Sequence, residues 1–189
     1  TQSVYAAPKD QGTSLLFADG GTAIALEYNP EWPYAIECDY FTNGAGKNAL
    51  IVPDGGCRRP FSQSSLLEKT DDDGVSRTAL HERMDGLEVF SFATSTVPKS
   101  LNNLITEFDI APESIDYLLL HQANKFLCEK IRKRMKFPET KVPYNIDRFG
   151  NTSGASIPLL MVTELAEELK SKTLRLLASG FGVGLSLGS

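Results

Sequence analysis

The stretch that most limits how this chain can fold is "SIDYLLLHQANKFLCEKIRKRMKF" (residues 114–137), where an unbroken apolar run stops at His121 and a helical pattern follows almost at once. A short continuous apolar run reads as a buried strand. Behind it, Leu127, Ile131 and Met135 recur on one face of a helix. Open α/β sheets place their ligand crevice at the carboxyl ends of such strands. A chain with only two histidines puts one of them at that point, with the amides Gln122 and Asn124 close behind.

The same alternation continues downstream. "KVPYNIDRFGN" (residues 141–151) reads as an extended connection, and "TSGASIPLLMVTELAEELKS" (residues 152–171) as one amphipathic helix with Thr and Ser at capping positions and Pro158 in its opening turn. "TLRLLASGFGVGLSLGS" (residues 173–189) reads as a strand, a glycine-rich turn and a second strand. Upstream, "TSLLFADGGTAIALEY" (residues 13–28) and "YAIECDYF" (residues 34–41) are predicted strands on either side of the turn "NPEWP". Residues 42–83 lack periodicity, and a loop of that length is usually functional or disordered. In residues 84–108 a buried helix face is predicted through Phe90, Ala93, Val97, Leu101, Leu104, Ile105 and Phe108, with Pro98 expected to kink or divide it.

Composition removes several function classes. With 189 residues, 41% of them hydrophobic, the chain can bury a substantial core. No apolar run approaches the ~20 residues of a membrane span, and "TQSVYAAPKDQG" at the N-terminus lacks the basic and apolar regions of a signal peptide, so a cytoplasmic location is expected. A net charge of -5 disfavours nucleic-acid binding. Cys38, Cys57 and Cys128 have no spacing suited to a disulfide framework or a zinc site and are expected to be reduced, structural residues. The acidic "TDDDG" is expected to be a solvated turn, "ADGGTA" lacks a dinucleotide fingerprint, and His81 is read as structural or solvent-facing.

Three stretches, "HQAN" (residues 121–124), "GNTSGASIP" (residues 150–158) and "SGFGVGLSLGS" (residues 179–189), resemble in order and spacing the C-terminal half of β-ketoacyl-acyl carrier protein synthase III, a condensing enzyme of the thiolase superfamily. "LLFADGGTAIALE" is similar to the strand that ends the family's N-terminal half, and "GLEVFSFA" to the helix before its histidine strand. The resemblance implies a thiolase-like α/β fold with a mixed five-stranded sheet flanked by helices. Residues 1–42 would then end the N-terminal half, 43–83 would connect, and 84–189 would form the C-terminal half. It further implies decarboxylative Claisen condensation of an acyl-CoA primer with malonyl-acyl carrier protein, no cofactor, and a homodimer in the intact enzyme.

By the same resemblance, His121 and Asn151 form an oxyanion hole for the enolate, and the backbone N–H of Val183 holds the oxyanion of the acyl intermediate. Phe181 packs beside the reacting sulfur, while Asn124 and Gly86 line the pantetheine tunnel; Leu87 replaces a family asparagine there. None of the three cysteines lies at the strand-to-helix elbow that carries the family's nucleophile, so the chain alone is expected to be inactive. Between Lys125 and Lys136 the sequence holds six basic residues against Glu129. This helix, with Lys125, Lys130, Lys133 and Arg134, is expected to dock the acidic carrier protein. Two other readings stay open: a related acyltransferase of secondary metabolism or glycan modification, and a carrier-binding module without catalysis.

Overall fold

The apolar run at Tyr117–Leu120 is a strand with no solvent face: Leu118, Leu119 and Leu120 are all buried. A strand covered on both sides needs no polar alternation. Leu118 and Leu120 join the larger hydrophobic core on one side of the sheet, and Leu119 joins a smaller one with Leu160 and Leu165 on the other.

The computed structural model describes residues 2–33 and 35–189. In chain order its elements are α1 (Gln11–Ser14), β1 (Tyr40–Thr42), β2 (Leu50–Ile51), β3 (Lys69–Thr70), β4 (Ser76–Arg77), β5 (Arg83–Met84), α2 (Gly86–Glu107), β6 (Tyr117–Leu120), α3 (Lys125–Met135), α4 (Ile146–Phe149), α5 (Ser156–Glu164), α6 (Ala166–Ser171), β7 (Leu176–Gly182) and β8 (Ser186–Gly188). The main sheet runs β1-β8-β7-β6, with β6 and β7 parallel and the other pairs antiparallel. Two separate two-stranded pairs, β2 with β5 and β3 with β4, lie in the irregular stretch before α2. Helices α2 and α3 cover one face of the sheet and α5 the other, giving a mixed sheet between helical layers.

The main sheet has four strands among the described residues, where the sequence leads one to expect five. Residues 13–28 contribute only an isolated parallel bridge between Phe17 and Asn151. Of the strand expected over residues 34–41, Tyr34 lies outside the described residues, as does Thr1, and pairing begins only at Tyr40. The helix expected over residues 152–171 is also divided. A 3-10 turn, Ser153–Ala155, leads into α5, and the chain breaks before α6 at Leu165, which leaves helical geometry and buries itself against Leu119 and Leu160.

Pro98 does not divide α2, which runs unbroken for 22 residues. A proline has no N–H, so the carbonyl four residues earlier, that of Thr94, loses its helical donor. Arg134 on α3 supplies the replacement: its Nη1 donates to Thr94 O at 3.0 Å. The N-terminus of α2 is closed by Asp85, whose carboxylate accepts from the amides of Leu87 and Glu88.

Candidate active site

His121 leaves the end of β6 held by two neighbours. Its backbone N–H donates to Ser179 O on β7 at 2.9 Å. Its ring nitrogen Nδ1 lies 2.7 Å from Ser156 Oγ at the start of α5, and its ring meets Phe181 edge-on at 5.3 Å between centroids. Burial pushes the imidazole pKa down to about 4, so the ring is neutral at physiological pH. A neutral imidazole N–H can donate to a developing oxyanion without giving its proton away.

Asn151 lies two residues before Ser153, which lines the same cleft as His121. Its backbone is clamped between two bonds to the N-terminal segment, Asn151 N to Leu16 O at 3.1 Å and Ala18 N to Asn151 O at 2.8 Å. The glycine before it is required by that crossing. Gly150 has φ +64°, and a Cβ there would sit 3.0 Å from the Ala18 Cβ. The Asn151 side chain, only 4% exposed, accepts through Oδ1 from the amide of Ser153 at 2.9 Å. An amide N–H can only donate, so the Asn151 orientation is fixed and Nδ2 is left as a donor.

His121, Ser153, Ser156, Phe181 and Val183 line one cleft of about 360 Å³. Asn151 adjoins it through the bond to Ser153. Val183 stands in the turn between β7 and β8, with 64% of the residue exposed. The turn depends on Gly184 at φ +137°, where a Cβ would lie 2.8 Å from Ser186 N. Three of the six residues expected to act on substrate, His121, Phe181 and Val183, thus line one cleft, and Asn151 is bonded to its wall at Ser153. Asn124 and Gly86 are elsewhere. Asn124 caps α3 by accepting from Leu127 N at 2.7 Å. Gly86 opens α2 and lines a separate groove of about 710 Å³ with Arg83 and Asp85. Sequence reasoning gives no role to Ser156, whose only signal is its place in the "GNTSGAS" stretch, or to Gln122, which is buried and ties Leu120 O to the Asn145 amide.

Comparison with known proteins bears on this arrangement directly. Residues 105–189 match the family described as 3-Oxoacyl-[acyl-carrier-protein (ACP)] synthase III C terminal. The chain is 35% identical over 187 residues to the beta-ketoacyl-[acyl-carrier-protein] synthase III of Streptococcus equi subsp. zooepidemicus, covering 96% of this chain and 53% of that protein. Against the enzyme of the same name from Streptococcus agalactiae serotype III the identity is 37% over 186 residues, covering 95% of this chain and 52% of the other. A 2.1 Å crystal structure of a 3-oxoacyl-(acyl-carrier-protein) synthase III superposes with a TM-score of 0.88 at 37% identity, over 100% of this chain and 56% of that one. The Burkholderia xenovorans synthase gives 0.79 at 34%, over 100% and 52%. The chain therefore spans about half the length of the synthase III relatives it matches, and its thiolase-like α/β fold is theirs.

None of the three cysteines lines the cleft as a nucleophile would. Cys128 is buried on α3, donates to His121 O at 3.3 Å, and has its thiol pushed up to about 12 by burial, which keeps it protonated and inert. Cys38 and Cys57 are exposed, so the structural role expected of them is not one of core packing. The basic helix is also less uniform than its composition suggests. Arg132 turns inward to Glu129, Glu139 and Phe137 O, and Arg134 is engaged with Thr94. Lys133 is exposed, Lys130 lies over Phe126, and Lys125 over Tyr144. No helix among the described residues is long and apolar enough to cross a membrane.

Proposed function

We propose that this chain supplies the decarboxylating half of a synthase III reaction, in which a malonyl-carrier thioester loses CO2 and the resulting enolate attacks an acyl group delivered from acyl-CoA. One observation carries this reading: a neutral imidazole lines the cleft, and the amide of Asn151, fixed through its oxygen, is bonded to Ser153 in the wall of that cleft. Two such donors aimed at the thioester oxygen would stabilise the charge that forms as CO2 leaves, each worth about 3 kcal/mol. The Val183 amide, in a turn whose glycine admits close backbone approach, would hold the oxyanion of the acyl intermediate. Phe181, already against the His121 ring, would wall the acyl side. Asn124 and Gly86 would contact pantetheine only near the tunnel mouth, outside the cleft.

Lys125, Lys130, Lys133 and Arg134, all exposed, form the proposed docking surface for acyl carrier protein. Arg134 would contribute charge there while its guanidinium stitches α2 to α3. The reading includes a cytoplasmic homodimer using acyl-CoA and malonyl-carrier, without a cofactor. Because no cysteine here is placed to hold an acyl group, the chain by itself should yield no ketoacyl product from those two substrates. In the enzyme that combines it with a nucleophilic cysteine, His121→Ala or Asn151→Ala should lower malonyl decarboxylation by about 10²- to 10³-fold while cysteine acylation persists. Loss of acylation with normal decarboxylation would overturn the assignment.

A further inference from the structure

We propose that Ser156 is the positioning residue for His121: its hydroxyl donates to Nδ1 and so keeps the single imidazole proton on Nε2, the nitrogen free to meet an oxyanion. Nothing in the resemblance or the relatives assigns this serine a role. The argument is one of counting donors. Ser156 is 2% exposed, and its Oγ has two partners, His121 Nδ1 at 2.7 Å and the backbone N–H of Gln122 at 3.4 Å. The Gln122 amide can only donate, so Oγ accepts there.

Two arrangements remain for the short contact. If Oγ–H points at Nδ1, every group is paired. If instead Nδ1–H pointed at Oγ, the oxygen would receive two donors and its own hydrogen would need an acceptor. Among the described residues no carbonyl or carboxylate is hydrogen-bonded to Ser156 Oγ, so that tautomer strands a buried O–H. Ser156 also opens the nine-residue α5, whose positive N-terminal end disfavours a second proton on the ring, in the same direction as burial.

The catalytic consequence rests on the proposed function, but the tautomer does not, and the experiment separates the two. In the 15N-histidine-labelled chain at about pH 7, above the His121 pKa, the His121 ring carries one proton and NMR reports which nitrogen holds it. The chain has two histidines, and the second is an internal reference, because His81 Nδ1 accepts from the Thr78 amide at 3.0 Å and is thereby an Nε2–H ring. Wild-type His121 should show the His81 pattern. An Nδ1–H pattern for His121 would overturn the proposal with no variant needed.

Ser156→Ala should turn the His121 signals into a mixture of tautomers with His81 unchanged, and Ser156→Thr, which keeps the hydroxyl, should restore Nε2–H. A His121 that stays wholly Nε2–H in Ser156→Ala would also overturn it. In the assembled enzyme, Ser156→Ala should lower kcat for malonyl decarboxylation about tenfold or more with KM little changed, since the donor is misplaced rather than the substrate lost. A shifted tautomer with unchanged kcat would support Ser156 as the ring's positioner and sink His121 as the decarboxylation donor.

Discussion

Residues 19–38 and 52–82 are both nearly free of helix and long strand, yet they are held in opposite ways. In the first stretch every described residue is exposed, including Ile24, Leu26 and Ile36. The second folds around a buried cation. Arg77, 5% exposed, bonds Asp10 through Nε and Nη2 at 2.9 and 2.8 Å, and also reaches Asp71 and Asp73. Arg83 adds a bridge to Asp71 at 2.9 Å, and Ser65 Oγ donates to Asp54. Irregular backbone is therefore not loose backbone. What decides is whether side chains from distant positions converge on it.

The largest test of that contrast is Arg77→Met. Removing the guanidinium leaves the carboxylates of Asp10, Asp71 and Asp73 facing one another with Asp10 buried, so urea unfolding should show a loss of about 3–5 kcal/mol. A loss below about 1 kcal/mol would mean the cluster decorates the loop without holding it.

A smaller effect of opposite sign is expected at Glu82. This residue is 5% exposed, its Oε2 has no hydrogen-bond partner among the described residues, and its pKa is raised by burial and then by Asp10. A folded pKa above the unfolded one means stability is fully present below about pH 4 and lost as pH rises through the folded value. Glu82→Gln should therefore stabilise by about 1 kcal/mol at pH 7 and by nothing measurable near pH 4. Equal effects at both pH values would break the link to ionisation. The smallest change belongs to the exposed stretch: Leu26→Ser, at a residue 80% exposed, should shift stability by less than about 0.5 kcal/mol. A loss comparable to that of Arg77→Met would show that residues 19–38 are packed in solution.

Read from the sequence, the two stretches trade places. "AIALEY" reads as β structure, but a strand is a pairing as much as a pattern, and among the described residues nothing pairs with it. "TDDDG" reads as solvated because its carboxylates are local, while Asp10, the partner that makes Arg77 buried, comes from far upstream. By contrast the β6–α3 unit is legible because its information is local: a run buried on both faces, an Asn cap and a helical stripe all lie within residues 117–135. The candidate site divides along the same line. His121 and Asn151 are readable from their motifs, whereas the roles of Ser156 and Arg134 exist only once α5 meets β6 and α3 meets the proline of α2.

The bridge between Phe17 and Asn151 has a consequence in time as well as in space. Its partners are separated by most of the chain, so closing it costs the entropy of a very long loop and rewards the chain only after β6, α3 and the 150s turn are in place. During synthesis, residues 16–18 leave the ribosome long before their partner exists. The clamp on Asn151 is thus a late event, and a stalled or truncated chain that ends before residue 150 lacks Asn151, Ser156 and β7 together, so the His121 strand end has neither its sheet partner nor the serine that holds its ring.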